Sequence, residues 1–259
     1  MNRIDQAFEE KQQDLLSVYF TAGFPALNDT MRVMQSLQDA GADLIEVGVP
    51  FSDPIADGPT IQDSSQQALD NGMTLELLLS QLKDMRKTVH LPVILMGYIN
   101  PIVQYGVERF CQACQDIGVD GLILPDLPMY EYLQIYKDTF EKHGLYNIYL
   151  ITPQTAEERI REIDQNTNGF IYMVSSASTT GAKSGITENQ SAYFKRIEAM
   201  QLRNPRLIGF GISNHETFTK ACSHAAGAII GSAFINVLAN SNGSLEKDIT
   251  DYIHAVKNG

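Results

Sequence analysis

The sequence predicts a closed barrel of eight parallel strands, each followed by a helix, on three observations. Eight short runs rich in Val, Ile, Leu, Phe and Tyr recur along the chain; a segment with helical apolar spacing separates each from the next; and the length of 259 residues matches the ~250 usual for an α/β barrel of the TIM type. The runs are LSVYFTA, DLIEVGV, PVILMGY, DGLILPD, NIYLITP, FIYMVS, RLIGFGI and GAIIGSAF. They are almost continuously apolar rather than alternating, as strands covered on both faces must be. No composition break, Ser/Gly-rich linker or short repeat divides the chain, so residues 1–259 read as a single domain. A doubly wound open sheet is the other arrangement this alternation permits.

The intervening segments carry helix signals. Asn28 and Asp29 precede TMRVMQSLQDAG, Thr155 precedes AEERIREID, and Ser213 with Glu216 three positions on reads as a capping box. Two helical segments, TIQDSSQQALDNG and LELLLSQLKDMRKT, share the interval between the second and third strands, and the first dozen residues supply an extra helix below the barrel. Barrel chemistry sits on the loops at the C-terminal ends of the strands. Two of these are long, PFSDPIADGPT after the second strand and SASTTGAKSGITENQ after the sixth, and long loops on that face suggest lids or docking surfaces.

The formal net charge of -12 repels polyanions, and no basic run offsets it, so nucleic acid is not an expected partner. No stretch has the ~18 consecutive apolar residues of a membrane span and the start lacks the order of a signal peptide, which reads as a soluble, cytoplasmic protein. Three cysteines are too few and odd in number for a disulfide framework. Cys111 and Cys114 form a CxxC within an amphipathic helical pattern, without a second pair to complete a four-ligand metal site. The five histidines lie in helical or loop segments, with no HExxH among them.

Glu46 is the first candidate for chemistry. In DLIEVGVP, Ile45 and Val47 face one side of the strand, and Leu44, Glu46 and Gly48 the other. A carboxylate buried there without a partner is costly, and burial raises its pKa towards the range useful for proton transfer, although a strand end facing solvent would also accommodate it. Asp53 and Asp57 follow on the loop. Aspartate before glycine is ordinarily a turn residue; if the loop folds over the barrel mouth, Asp57 faces Glu46 and supplies a second carboxylate. Glycine clusters at Gly181, at Gly209 and Gly211, and at Gly231 with Ser232 follow strands six, seven and eight, where barrels often hold a phosphate on backbone N–H groups. Close packing is the alternative use of these glycines. No strand end carries a lysine, Lys183 standing in the sixth loop, which disfavours imine chemistry. The residues describe an acid/base enzyme for a phosphorylated substrate with no obvious cofactor.

The run IEVGVPFSDPIADGP resembles the signature of the tryptophan synthase alpha-subunit family, and YFTAGFP, MGYINP, PDLP, GFGIS and GSAF extend the resemblance along nearly the whole chain. The resemblance implies retro-aldol cleavage of indole-3-glycerol phosphate to indole and glyceraldehyde 3-phosphate. It places Glu46 and Asp57 in the catalytic positions and Gly181, Gly211, Gly231 and Ser232 at the substrate phosphate. Tyr172 and Thr180 match the region of the sixth loop, where Thr180 is expected to hydrogen-bond Asp57 on closure. Tyr19, Phe20, Met96, Ile123 and Phe210 either wall the indole pocket or pack the core. Position 19 is Tyr where a phenyl ring is common, and Ser176, Ser178 and Thr179 replace the basic, glycine and branched apolar residues frequent before the Thr-Gly pair. The family's partner is a beta subunit carrying pyridoxal phosphate, in a complex of two alpha and two beta chains, with no cofactor expected in the alpha chain itself. Pro50 and Asp53 on the second loop are the expected docking residues. A free-standing lyase that releases indole and a non-catalytic barrel binding a phosphorylated ligand are the competing readings.

Overall fold

The computed structural model describes residues 1–175, 188–209 and 211–259. The eight expected strands are present: Leu15–Thr21 (β1), Leu44–Gly48 (β2), Val93–Met96 (β3), Gly121–Ile123 (β4), a fifth in two pieces, Tyr146–Ile148 and Leu150–Ile151 (β5), Ile171–Val174 (β6), Arg206–Gly209 (β7) and Gly227–Ile230 (β8). Neighbours in sequence pair in parallel, and β1 pairs with both β2 and β8. The first piece of β5 pairs with β4 and the second with β6. Between them the Tyr149 carbonyl accepts from Tyr172 N at 3.0 Å, so the ring is carried through the break. Closure leaves no free sheet edge and rules out the open, doubly wound arrangement.

Alternation along the strands sorts side chains into two cores. Leu15, Leu44, Ile94, Ile123, Leu207 and Ile229 fill the barrel interior. The intervening residues, among them Val18, Phe20, Ile45, Val47, Leu95 and Leu122, pack outward against the helices. Cys111 and Cys114 belong to this outer core, on the buried face of the helix Val107–Ile117.

The extra N-terminal helix, Arg3–Glu10, seals the base: Ile4 is fully buried and joins the interior cluster. Asn2 caps this helix by accepting from Ile4 N, and its amide donates to the carbonyls of Asp120 and Gly144 at 2.8 and 3.2 Å. Asp120, just before β4, is 3% exposed. Its carboxylate accepts from Arg3, from Arg86 and from the backbone N–H of Val93 at 2.9, 2.6 and 2.8 Å.

Three local expectations are corrected. The helix after the fifth strand is Glu157–Asn166 with Ala156 at its cap, because the Thr155 hydroxyl accepts instead from Thr152 N at 2.9 Å. The capping box before His215–Cys222 lies one residue later than expected, with Asn214 and Thr217 exchanging bonds. Ser213 donates its N–H to Thr217 Oγ1 and its carbonyl accepts from Tyr252, so it serves the turn rather than the cap. The segment LELLLSQLKDMRKT splits into the helix Leu75–Gln81 and a 3₁₀ turn at Met85–Lys87.

Arg86 is the more buried of the two cations on Asp120, and removing the carboxylate strands its charge at the barrel base. Asp120→Ala is therefore expected to lower the unfolding free energy by about 3 kcal/mol, measured by urea denaturation. A loss below about 1 kcal/mol would place this network among ordinary surface ion pairs.

Candidate active site

Burial of a carboxylate inside the barrel defines the site. Leu44, Glu46 and Gly48 point inward from β2, and Glu46 is completely buried. Ser17 Oγ, from β1, donates to Glu46 Oε1 at 2.7 Å; among the described residues Oε2 has no partner. Desolvation pushes the Glu46 pKa up to about 7, with the Ser17 hydrogen bond pulling the other way. Glu46 is thus poised to exchange a proton near neutral pH.

Two glycines make room for aromatic residues around it. A Cβ on Gly48 would stand 2.1 Å from the hydroxyl oxygen of Tyr19, and one on Gly209 would stand 2.4 Å from that of Tyr172. Only bare backbone lets either phenol lie so close to the neighbouring chain. Burial and the nearby carboxylates Asp57 and Glu46 hold both hydroxyls well above their ordinary pKa, so both stay protonated.

Above this layer, β2 runs into the long second loop, which folds back over the mouth. Tyr98 holds it there. Its hydroxyl donates to Asp57 Oδ2 at 2.9 Å, accepts from Ala56 N at 3.1 Å, and its ring stacks on Phe51 at 5.0 Å. Burial raises the Asp57 pKa and the Tyr98 hydrogen bond partly offsets it. A narrow cavity, open to solvent at its mouth, is lined by Tyr19, Phe51, Asp57, Met96, Tyr98 and Pro125. Asp57 and Glu46 both act electrostatically on Tyr19, whose side chain links the cavity to the buried glutamate. Neither carboxylate has an ion pair among the described residues, so a cationic species formed between them would be their counter-charge.

On the far side of the mouth, Gly211 follows β7 with φ +80°, a conformation glycine adopts readily. Gly231 caps the helix Ser232–Ala239 after β8 and offers no side-chain oxygen to the first N–H groups of that helix. The loops after β3 and β4 are joined by Ile99 N, which donates to the Asp126 carboxylate at 3.1 Å.

The structure therefore brings Glu46, Asp57, Tyr19, Met96 and Tyr172 together, with Gly211, Gly231 and Ser232 at the ends of the strands expected to hold phosphate. Ile123 lies in the interior core, packed near Met96, and Phe20 points outward against the helices; both are absent from the cavity wall. Thr180, Gly181, Lys183 and Phe210 lie outside the described residues. On the second loop Asp53 is exposed but Pro50 is buried; the exposed apolar group is Ile55, at 84%. His143 is a packing residue, bonded to Gln115 and Glu108.

Sequence reasoning misses Ser17, Phe51 and Tyr98. Ser17 had a legible signal, a small hydroxyl residue two positions before Tyr19 on the same strand face. Nothing local marks Tyr98 as the partner of a residue 41 positions earlier.

A family model described as tryptophan synthase alpha chain matches residues 5–258. The tryptophan synthase alpha chain of Flavobacterium psychrophilum is 59% identical over 252 residues, covering 97% of this chain and 99% of its own. Among solved structures, tryptophan synthase subunit alpha from Legionella pneumophila superposes with a TM-score of 0.89 at 35% identity, covering 99% of this chain and 97% of that one. A chain of the tryptophan synthase complex from Pyrococcus furiosus gives 0.85 at 32% identity, with 94% and 98% covered. Matched from residue 5 to residue 258 and aligned end to end with relatives of its own length, the chain belongs to the tryptophan synthase alpha chain family.

Proposed function

We propose that Glu46 and Asp57 divide the proton transfer and charge stabilisation in the family's lyase reaction, cleavage of indole-3-glycerol phosphate to indole and glyceraldehyde 3-phosphate. The observation that carries this reading is the fully buried Glu46, with one oxygen held and a pKa of about 7, beneath a cavity whose wall includes a second carboxylate.

Breaking the bond from indole C3 to the glycerol chain needs an electron sink. Protonation at C3 turns the ring into an indoleninium cation, which accepts the bonding electrons as the side-chain hydroxyl loses its proton. The substrate thus supplies its own imine equivalent, and the chain needs neither a lysine nor a cofactor for the step. Glu46 suits the proton transfers, since a pKa near the working pH serves both giving and taking a proton. Asp57, held by Tyr98 in the cavity wall, suits the positive charge spreading to the indole N–H. Tyr19, Met96 and Tyr172 supply the aromatic and apolar wall. Gly211, Gly231 and Ser232 would hold the phosphate on backbone N–H groups and a hydroxyl, which suits a chain of net charge -12.

Indole is small and apolar and escapes readily, which favours direct transfer to a beta subunit that joins it to serine with pyridoxal phosphate. The docking surface is then the mouth face. Asp53 and the exposed Ile55 are its contacts on the second loop, and Pro50 acts from below by stiffening the turn. Two alpha and two beta chains are the expected assembly.

Glu46→Gln is expected to fold normally and lose at least ~10²-fold in turnover; near-normal turnover in the folded variant removes Glu46 from the mechanism. Asp57→Asn is expected to lose turnover severely while still binding a phosphate-bearing substrate analogue, because the phosphate is held elsewhere. Loss of analogue binding by folded Asp57→Asn would overturn that division of roles. Ile55→Asp should weaken association with the beta subunit by about tenfold or more and leave basal cleavage in place. Wild-type affinity in calorimetric titration would move the docking surface off this loop.

A further inference from the structure

The interior face of β1 carries a second hydroxyl that neither the family signature nor the core explains. Ser17 is completely buried among Leu15, Leu44 and the inward aromatics, where an aliphatic side chain would pack at less cost. Its hydroxyl is spent on one contact, the 2.7 Å bond to Glu46 Oε1. The other carboxylate oxygen, equally buried, has no partner among the described residues. One oxygen is anchored and the other is left available.

We propose that Ser17 is a positioning residue for the lyase reaction, fixing Glu46 through Oε1 so that Oε2 is the oxygen that exchanges the proton with the substrate. The inference rests on Glu46 being the proton-transfer group. Its chemistry is that of a donor fixed on a strand: the Ser17 O–H favours the ionised carboxylate, and the rigid β1–β2 ladder sets where that carboxylate stands. Among the described residues the groups facing Glu46 are few. Tyr19 from β1 and Tyr172 from β6 interact with it electrostatically and remain protonated, Asp57 from the second loop acts on the same two phenols, and the residue opposite on β3 is the apolar Ile94. None of these replaces the donor that Ser17 supplies.

The test is the pH dependence of kcat/KM for indole-3-glycerol phosphate cleavage, measured on the full chain with the beta subunit present. Without the hydroxyl the ionised form of Glu46 loses its support and its pKa rises. In Ser17→Ala the limb near pH 7 is expected to move upward by about one pH unit, with kcat more affected than KM. Ser17→Thr, which keeps the hydroxyl, should restore the wild-type limb. Ser17→Cys, of similar volume but a weaker donor, should move it in the same direction by less. A Ser17→Ala or Ser17→Cys protein with wild-type thermal stability and an unmoved limb overturns the assignment, whereas a role in packing alone would change stability and leave the limb in place. A Glu46→Gln arm separates the two levels. If that variant turns over normally, the reading of Glu46 has failed; if it is inactive while the Ser17 variants keep the wild-type limb, Ser17 alone has been misassigned.

Discussion

The site depends on one constraint: a carboxylate stands inside a closed parallel barrel with no cation paired to it among the described residues. Water is excluded from Glu46, so its charged form is penalised and its pKa climbs to about 7. A lysine or arginine beside it would relieve the penalty and return the group to the range of a spectator carboxylate. Ser17, a neutral donor, supports the charge only in part. The low-dielectric interior that makes Glu46 costly also makes its proton transferable near neutrality.

The rest of the barrel accommodates that cost. At the base, the interior is packed with aliphatic side chains and stoppered by Ile4, while the charges needed to hold the stopper gather on Asp120, outside the interior cluster. Toward the mouth, side-chain volume is cleared at Gly48 and Gly209, and the space goes to the phenols of Tyr19 and Tyr172. Stability is concentrated at one end of the strands and adaptability at the other, the division expected of this architecture.

Much of this was legible in the sequence because strand period is a strong signal. The alternation in LIEVG puts Glu46 inside whatever the loops do, and the eight apolar runs correspond to the eight strands. The position of Asp57 near Glu46 followed only if the loop folded inward, and the group that holds it, Tyr98, comes from a different strand end. A hydrogen bond between residues distant in sequence leaves no local pattern. The caps failed for a related reason: Thr155 and Ser213 are both good capping residues, but each is engaged by a turn one residue before the position that caps the helix. Pro50 has the composition of a docking loop, yet the chain turns so as to bury it and expose Ile55.

The stopper at the barrel base also sets an order of events during synthesis. Asn2, Arg3 and Asp5 bond to Gly118, Asp120, Gly144 and Tyr146, residues that lie 115 to 142 positions further along the chain. At roughly 5–20 residues per second, the first helix waits on the order of ten seconds for its partners to be made. Leu15, at the start of β1, waits longer still for Gly227 and β8. The earliest segment of the chain is thus among the last to be fixed, and until then its Ile4 and Phe8 are apolar side chains without a barrel to enter. A short amphipathic helix followed by Lys11, Gln12 and Gln13 keeps that waiting segment polar on one side throughout.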